Sequence, residues 1–224
     1  MFQDDSPLSV LAPGEHALLV PGPCGPLQVV VQVPAQARPD ALALICHPHS
    51  LMGGSLDNKV VFTLHRAARD LGLVSIRFNF RGVGASAGIY DHGVGEQDDL
   101  LAVLAWADPA RHRRLWLAGF SFGAFVAAMA WQCALASGWL AGRLILVAPP
   151  VTRFPLAGHA LPVAARVIYG DADEVVEPSA IAGWLASQPD ALPVTVLAGA
   201  GHFFHGRLTE LKEWVAAVLS EDEA

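Results

Sequence analysis

The chain has 224 residues, of which 53% are apolar and only 16% are charged, whereas globular domains usually carry ~25% charged residues. This balance excludes an intrinsically disordered chain, and the length gives room for one α/β domain with a buried core. The 14 Lys and Arg residues are outnumbered by 21 Asp and Glu residues, for a net charge of −7. Nucleic-acid binding is therefore not expected, because it needs a basic surface.

Eight short apolar runs predict β-strands. Residues 21–26, which separate the first two runs, form a turn rich in Pro and Gly that is too short for a crossover helix, so an antiparallel hairpin is expected at one edge. From the third run onward the pattern lacks polar alternation, which is typical of parallel strands covered on both faces. The predicted strands are residues 17–20, 27–33, 41–46, 73–78, 114–118, 144–147, 165–169 and 193–197.

Helical patterns separate the later strands. Apolar residues recur at the spacing of one helical face, and a Gly or Pro marks several of the boundaries. Strands that alternate with helices predict a single, doubly wound α/β domain over residues 1–224. The predicted helices run from after Asp57 to Gly72, from Gly95 to Ala107, from Ser121 to about Ser137, onward from Pro178, and along Leu208, Leu211, Val215 and Leu219.

The apolar segment 115–136 is long enough to suggest a membrane span. Residues 119–123 interrupt it, however, and a strand followed by a buried helix explains the pattern better. Residues 1–7 lack the basic and apolar order of a signal peptide, so we expect a soluble, cytoplasmic protein without a membrane partner. Basic residues 111–114 and acidic residues 221–223 are expected to form a solvated turn and a solvated tail.

The clearest chemical signal is Gly-Phe-Ser-Phe-Gly at residues 119–123, which follows a predicted buried strand and opens a helical pattern. A nucleophile elbow requires that context. The sharp turn holds the serine in strained backbone geometry, and side chains in place of the two glycines would collide with neighbouring elements. The helix N-terminus then directs free amides at the reaction centre. The pattern predicts Ser121 as a nucleophile.

A serine hydroxyl needs a base to take its proton, and the base needs a carboxylate to orient it. In a fold with this elbow, the acid and then the histidine follow the serine along the chain. Asp171 and Asp173 both follow one predicted strand, and their spacing does not choose between them. His202 lies in the loop immediately after the next strand, whereas His205 is expected to begin a helix. His202 is therefore the predicted base, at the sheet edge where ligands bind.

An oxyanion hole needs two backbone amides aimed at the developing negative charge. One is expected from Phe122, the residue after the nucleophile, and the other from the loop at residues 47–54. Within that loop His49 and Leu51 are the candidates.

No metal or cofactor is expected. His47 and His49 invite a metal interpretation, but no carboxylate or cysteine cluster accompanies them. The three Cys residues have no metal-like spacing, and Cys46 and Cys133 lie in apolar runs that predict core positions. The two histidines are expected instead to shape their loop and the wall of a pocket.

Five segments together carry a family pattern: residues 47–49 with 53–54, 57–61, 78–84, 119–123 and 201–206. They resemble the α/β-hydrolases, and more narrowly the small lidless bacterial esterases that are similar to dienelactone hydrolase. The superfamily's Gly-x-x-Asp pattern maps onto Gly170 and Asp173, so the resemblance favours Asp173 over Asp171. Dienelactone hydrolase uses a cysteine nucleophile, and Ser121 in its place implies ordinary serine-ester hydrolysis.

Many α/β-hydrolases carry a lid after the sixth strand. Residues 149–164, with four prolines, form the whole connection here and are too short for a separate cap, so an open site is expected. Arg81 follows a strand end, where it meets an anionic leaving group or lies in a surface turn. Some apolar residues are candidates for an acyl pocket, although aromatic side chains there are equally typical of a core: Phe120, Phe122, Leu51 and Met52.

Taken together, the sequence predicts a serine hydrolase that cleaves small-molecule carboxylic esters or thioesters. Ser121 attacks the carbonyl, His202 takes its proton and Asp173 orients the imidazole ring. Two alternatives keep the same fold: a binding protein without catalysis, and an amidase or acyltransferase that uses the same three residues.

Overall fold

The described residues of the computed structural model, 6–108, 113–154, 156 and 158–221, form one eight-stranded sheet flanked by five α-helices. The strands are β1 (Gly14–Gly22), β2 (Gly25–Val33), β3 (Ala41–Cys46), β4 (Val74–Phe78), β5 (Arg114–Phe120), β6 (Leu140–Val147), β7 (Ala165–Gly170) and β8 (Val194–Leu197). The helices are α1 (Lys59–Asp70), α2 (Gly95–Ala107), α3 (Phe122–Ala136), α4 (Pro178–Ala186) and α5 (Leu208–Ser220).

The strand order is β1-β2-β4-β3-β5-β6-β7-β8. β1 and β2 pair as an antiparallel hairpin, β2 runs antiparallel to β4, and the remaining pairs are parallel. The predicted fold class, a mostly parallel sheet with an antiparallel hairpin at one edge, is confirmed. β1 and β2 are longer than predicted because their pairing continues past Pro21 and Pro26 as far as Gly22 and Gly25, and β1 also begins earlier, with Gly14 paired to Val33.

Two apolar cores lie on opposite faces of the sheet. One packs α2, α3 and α4 against the strands, and the other packs α1 and α5. α3 is apolar on nearly all sides because most of its surface is buried, which explains the hydropathy of residues 115–136. That segment is β5 followed by α3, and no helix in the described part of the chain is long and apolar enough to cross a membrane.

Three local predictions are wrong. β8 was predicted to be covered on both faces, but it alternates exposed and half-buried residues because it is the edge strand of the sheet. Cys133 is exposed on α3, whereas Cys46 is buried in β3 as predicted. Arg113 is buried and donates to the backbone oxygen of Pro39, so it is not part of a solvated turn. The predictions for residues 1–5, 111–112 and 222–223 lie outside the described residues.

The connection between β6 and β7, residues 148–164, carries no inserted domain in its described part. The carboxyl ends of the central parallel strands are therefore left open above the sheet. This is the edge to which the sequence assigned its functional residues.

Candidate active site

Ser121 occupies the sharp turn between β5 and α3. Its backbone angles are φ 53° and ψ −120°, a left-handed geometry that is costly for any residue with a side chain. A Cβ atom at Gly119 would collide with the carbonyl of Gly123, and one at Gly123 would collide with the carbonyl of Cys46. The flanking glycines thus allow β3, β5 and α3 to approach closely enough to hold Ser121 in its strained conformation.

Three predicted side chains form one hydrogen-bonded chain at this turn. His202 Nε2 lies 3.0 Å from Ser121 Oγ, and His202 Nδ1 lies 2.8 Å from Asp173 Oδ2. The other carboxylate oxygen of Asp173 accepts hydrogen bonds of 2.8 Å from the amides of Val175 and Val176. All three side chains are buried, so solvent screens their interactions only weakly.

The protonation of this chain follows from its contacts. Burial alone would raise the pKa of Asp173, but the hydrogen bonds from His202, Val176 and Val175 outweigh burial, and the pKa lies below its usual range. The ionised carboxylate accepts a hydrogen bond from Nδ1–H of His202 and so leaves the Nε2 lone pair facing Ser121. This is the arrangement in which an imidazole can take the serine proton.

Asp171, the other candidate for the orienting acid, makes a different contact. Asp171 Oδ1 accepts a hydrogen bond of 2.6 Å from the amide of Gly199 and thereby ties the loop after β7 to the loop after β8. Glu174, which sequence reasoning missed, accepts a hydrogen bond of 3.0 Å from the backbone amide of His202. No sequence pattern marks Glu174, because its role depends on a loop 28 residues further along the chain.

His205 does not begin a helix, contrary to the prediction. α5 starts only at Leu208, and His205 lies in the turn before it, with its ring stacked on that of Phe203 at a centroid distance of 5.9 Å. The ring of Phe203 in turn packs edge-on against His202 at 5.2 Å.

Two of the three candidate oxyanion donors remain available. The amide of Phe122 opens α3, where the first amides of a helix have no intrahelical acceptor. Within the described residues the amide of His49 also has no protein acceptor. The Leu51 amide, by contrast, already donates to Nδ1 of His49, and the Leu51 side chain is exposed. The structure therefore disfavours Leu51 as an oxyanion donor.

Two neutral histidines anchor the loop that carries the His49 amide. Nε2 of the buried His47 accepts from the Phe80 amide at 3.0 Å, and its Nδ1 donates to the oxygen of Pro48. Burial lowers the pKa of His47 to about 4. Since Nδ1 of His49 accepts from Leu51, its Nε2 carries the proton and donates to Tyr90 Oη, 3.1 Å away.

The two histidine rings thus serve separate partners and do not face a common ion. Among the described residues, no group of three or more His, Cys, Asp or Glu side chains could hold a metal.

A cavity of about 450 Å³ opens above Ser121 and His202. Met52 and Phe122, two of the candidates for an acyl pocket, lie in its lining. Phe120 does not, because it is completely buried on the other face of the sheet, in the core formed with α1 and α5. Leu51 is also absent from the described lining of this cavity.

Arg81 lies neither in the described lining of this cavity nor at the surface. It is buried and forms hydrogen bonds of 2.8 and 3.0 Å to the two carboxylate oxygens of Asp99, which is also buried. A third bond joins its guanidinium to the oxygen of Gly95. The arginine that does line the cavity is Arg153, in the connection between β6 and β7. Nothing in the pattern of that connection distinguishes Arg153 beforehand.

Comparison with solved structures finds XC6422 from Xanthomonas campestris, an α/β serine hydrolase without a lid. It matches with a TM-score of 0.83 and 41% identity, over 93% of this chain and 95% of that one. An α/β serine hydrolase homologue from Coxiella burnetii also has a TM-score of 0.83 and 41% identity, with 93% of this chain and 99% of that chain covered.

Among curated proteins, the uncharacterized protein RP471 from Rickettsia prowazekii (strain Madrid E) is 32% identical over 184 residues, which are 77% of this chain and 75% of that protein. No protein-family model matches the chain. Sequence identity over most of the length, the eight-stranded sheet and the short connection after β6 agree with one another. The chain therefore belongs to the α/β hydrolases, among the serine hydrolases without a lid.

Proposed function

We propose that the protein hydrolyses carboxylic esters or thioesters through an acyl-enzyme intermediate, with Ser121 as nucleophile, His202 as general base and acid, and Asp173 as the orienting carboxylate. The observation that carries this proposal is the continuous hydrogen-bonded chain from Asp173 through His202 to Ser121 at the floor of the open cavity. A serine in this setting has both an oriented base and free amides beside it.

In the first half of the reaction, Ser121 Oγ attacks the carbonyl carbon while its proton moves to His202 Nε2. The carbonyl oxygen becomes an oxyanion, which accepts hydrogen bonds from the amides of Phe122 and His49. Collapse of this intermediate breaks the bond to the alcohol or thiol. His202 gives its proton to that leaving group, and the acyl group stays on Ser121.

In the second half, water takes the place of the alcohol. His202 accepts a proton from the water as it attacks the acyl carbon, and a second oxyanion forms at the same amides. When that intermediate collapses, Ser121 regains its proton and the carboxylic acid leaves. No cofactor is needed for either half. The size of the cavity and its apolar lining, which includes Met52, Phe122 and Phe154, support a small-molecule substrate with an apolar acyl part.

The test is hydrolysis of 4-nitrophenyl esters from acetate to long acyl chains by the wild type and Ser121→Ala. We expect activity on the shorter chains and a loss of about 10⁴-fold or more in kcat for Ser121→Ala. Ser179→Ala, which removes an exposed hydroxyl from α4, is the matched control and should behave as wild type.

Labelling by a fluorophosphonate separates catalysis from mere binding, because only an activated serine reacts with it. Wild type that neither turns over esters nor becomes labelled would overturn the proposal and favour a binding protein. Cleavage of an amide by a wild type that rejects the matching ester would favour an amidase instead.

A further inference from the structure

The cavity above Ser121 has two chemically different sides. We call the base side the group beside His202, namely Val175, Val176 and Phe203. We call the oxyanion side the group beside His49, namely Phe122, Phe154 and Arg153. The His49 ring lies 5.2 Å from that of Phe122 and 5.8 Å from that of Phe154, so these side chains form one continuous wall.

Arg153 is the unusual member of the oxyanion side. Its side chain is exposed within an otherwise largely apolar cavity, and its guanidinium group forms no ion pair and no hydrogen bond among the described residues. The described lining of the cavity contains no Asp, Glu or Lys. An unpaired guanidinium beside a binding cavity is a ready partner for a carboxylate, which it can hold through two parallel hydrogen bonds.

The charge of Arg153 acts on His49 and Tyr90, which are joined by a hydrogen bond. After burial, it is the next contribution that lowers the pKa of His49. For Tyr90 it opposes the rise in pKa that burial and Glu96 cause. Since Tyr90 Oη accepts a hydrogen bond from Nε2–H of His49, the hydroxyl proton of Tyr90 has no acceptor in the described part of the chain. Arg153 and Tyr90 are thus two donors near the same wall.

The proposed reaction decides which part of a substrate meets this wall. His202 protonates the leaving oxygen, so the alcohol lies on the base side, and the oxyanion lies against the amides of Phe122 and His49. We propose that the acyl chain extends along the oxyanion side, past Phe154, and ends in a carboxylate paired with Arg153, so that the substrates are half-esters of dicarboxylic acids. This inference rests on the proposed function.

The experiment compares mono-4-nitrophenyl adipate and suberate, which carry a free carboxylate, with their neutral methyl esters. The measured quantity is the ratio of kcat/KM for the acid to kcat/KM for its methyl ester. We expect Arg153→Gln to lower this ratio about tenfold for at least one chain length, mainly through KM, and Arg153→Lys to retain part of it. High salt should lower the ratio of the wild type, because the pair is exposed to solvent.

Arg66→Gln is the matched control. Arg66 is exposed on α1 and lines a separate cavity of about 610 Å³ between α1 and α5, which shares no described lining residue with the cavity above Ser121. The Arg66→Gln substitution removes the same charge at a distance from Ser121, so the ratio of kcat/KM should not change. A ratio that is unaltered in Arg153→Gln, or that falls equally in Arg66→Gln, overturns the proposal.

Two further measurements separate the remaining outcomes. The first measurement is the same ratio of kcat/KM for 4-acetoxybenzoate and its methyl ester, in which the carboxylate belongs to the leaving group. If Arg153→Gln lowers this ratio and leaves the ratios for adipate and suberate unchanged, the assignment to the acyl side is wrong. Calorimetric binding of mono-4-nitrophenyl adipate to Ser121→Ala should be weakened about tenfold in Ser121→Ala/Arg153→Gln. That result would support the carboxylate subsite even if the wild type hydrolysed no ester, and equal binding by the two variants would refute it.

Discussion

The base side and the oxyanion side of the cavity are held in place by different chemistry. On the base side, carboxylates bind the loops that follow β7 and β8: Asp173 holds the ring of His202, Glu174 holds its backbone amide, and Asp171 holds the amide of Gly199. These are charge-assisted hydrogen bonds, which are shorter and stronger than neutral ones.

On the oxyanion side, neutral imidazoles and aromatic rings hold the loop instead. His47 joins it to Phe80, and His49 joins it to Tyr90 while packing against Phe122. The difference shows that this site does not depend on a single kind of support. The base side depends on ionised groups, whereas the oxyanion side depends on histidines that remain uncharged.

The largest effect on kcat is expected from a substitution on the base side. Asp173→Asn keeps the shape of the side chain but removes the charge that fixes the tautomer of His202, so we expect kcat to fall by about 10⁴-fold. Steady-state kinetics on a 4-nitrophenyl ester measures this. Asp171→Asn is the matched control, since the Asp171 carboxylate accepts from the amide of Gly199 and forms no described hydrogen bond with Ser121 or His202, and it should lose less than tenfold. Equal losses in the two variants would mean that the wrong acid was assigned.

Acid pH is expected to lower the free energy of unfolding through two buried neutral histidines, of which His47 supports the oxyanion side and His65 lies elsewhere in the fold. Burial lowers the pKa of His47 and of His65, on α1, to about 4 each. The unfolded chain, in which these groups titrate near 6.5, therefore binds more protons between pH 6.5 and 4, and stability falls as the pH drops through that window. At the acid end of this window, each histidine lowers the free energy of unfolding by up to about 3 kcal/mol.

Urea unfolding between pH 7 and pH 4.5 measures this contribution. His65→Gln, which lies outside the cavity, should flatten the fall in the free energy of unfolding, whereas His16→Gln, at the sheet edge, should leave the slope unchanged. Asp173 has a lowered pKa, so its contribution is lost with falling pH as well, but only as the pH passes below the usual carboxyl range. A slope that His65→Gln does not alter would contradict a buried, neutral His65.

Sequence patterns predicted the base side far better than the oxyanion side, for a physical reason. Asp173 and His202 lie in the loops that follow two adjacent parallel strands, and the sheet brings the ends of those strands together whatever the loops do. The choice of Asp173 over Asp171 came from the resemblance to the α/β-hydrolases and not from this placement. Partners across the fold leave no such periodic trace. Arg81 follows a strand just as plausibly, yet its buried pair with Asp99 keeps it from the cavity, and Arg153 carries no signal at all.

The fold shows the same division. β3 and α2 have the predicted bounds, because apolar runs and glycines mark them locally. β8 and Cys133 deviate, since exposure at a sheet edge or on the outer side of a buried helix depends on which neighbours pack against it. Periodicity predicts that an element exists, but only tertiary packing decides which of its faces stays open to water.

The smallest effect on kcat is expected from Glu174, which also belongs to the support of the base side. Glu174 is exposed, and Glu174→Gln keeps an oxygen that can accept from the His202 amide but removes its charge. Because such a solvent-exposed charge is worth at most about 1 kcal/mol, we expect kcat to fall less than tenfold with KM nearly constant. Glu177→Gln, also exposed and three residues further along, should match the wild type. A loss as large as that of Asp173→Asn would show that the position of the His202 backbone, and not only the charge on its ring, limits the reaction.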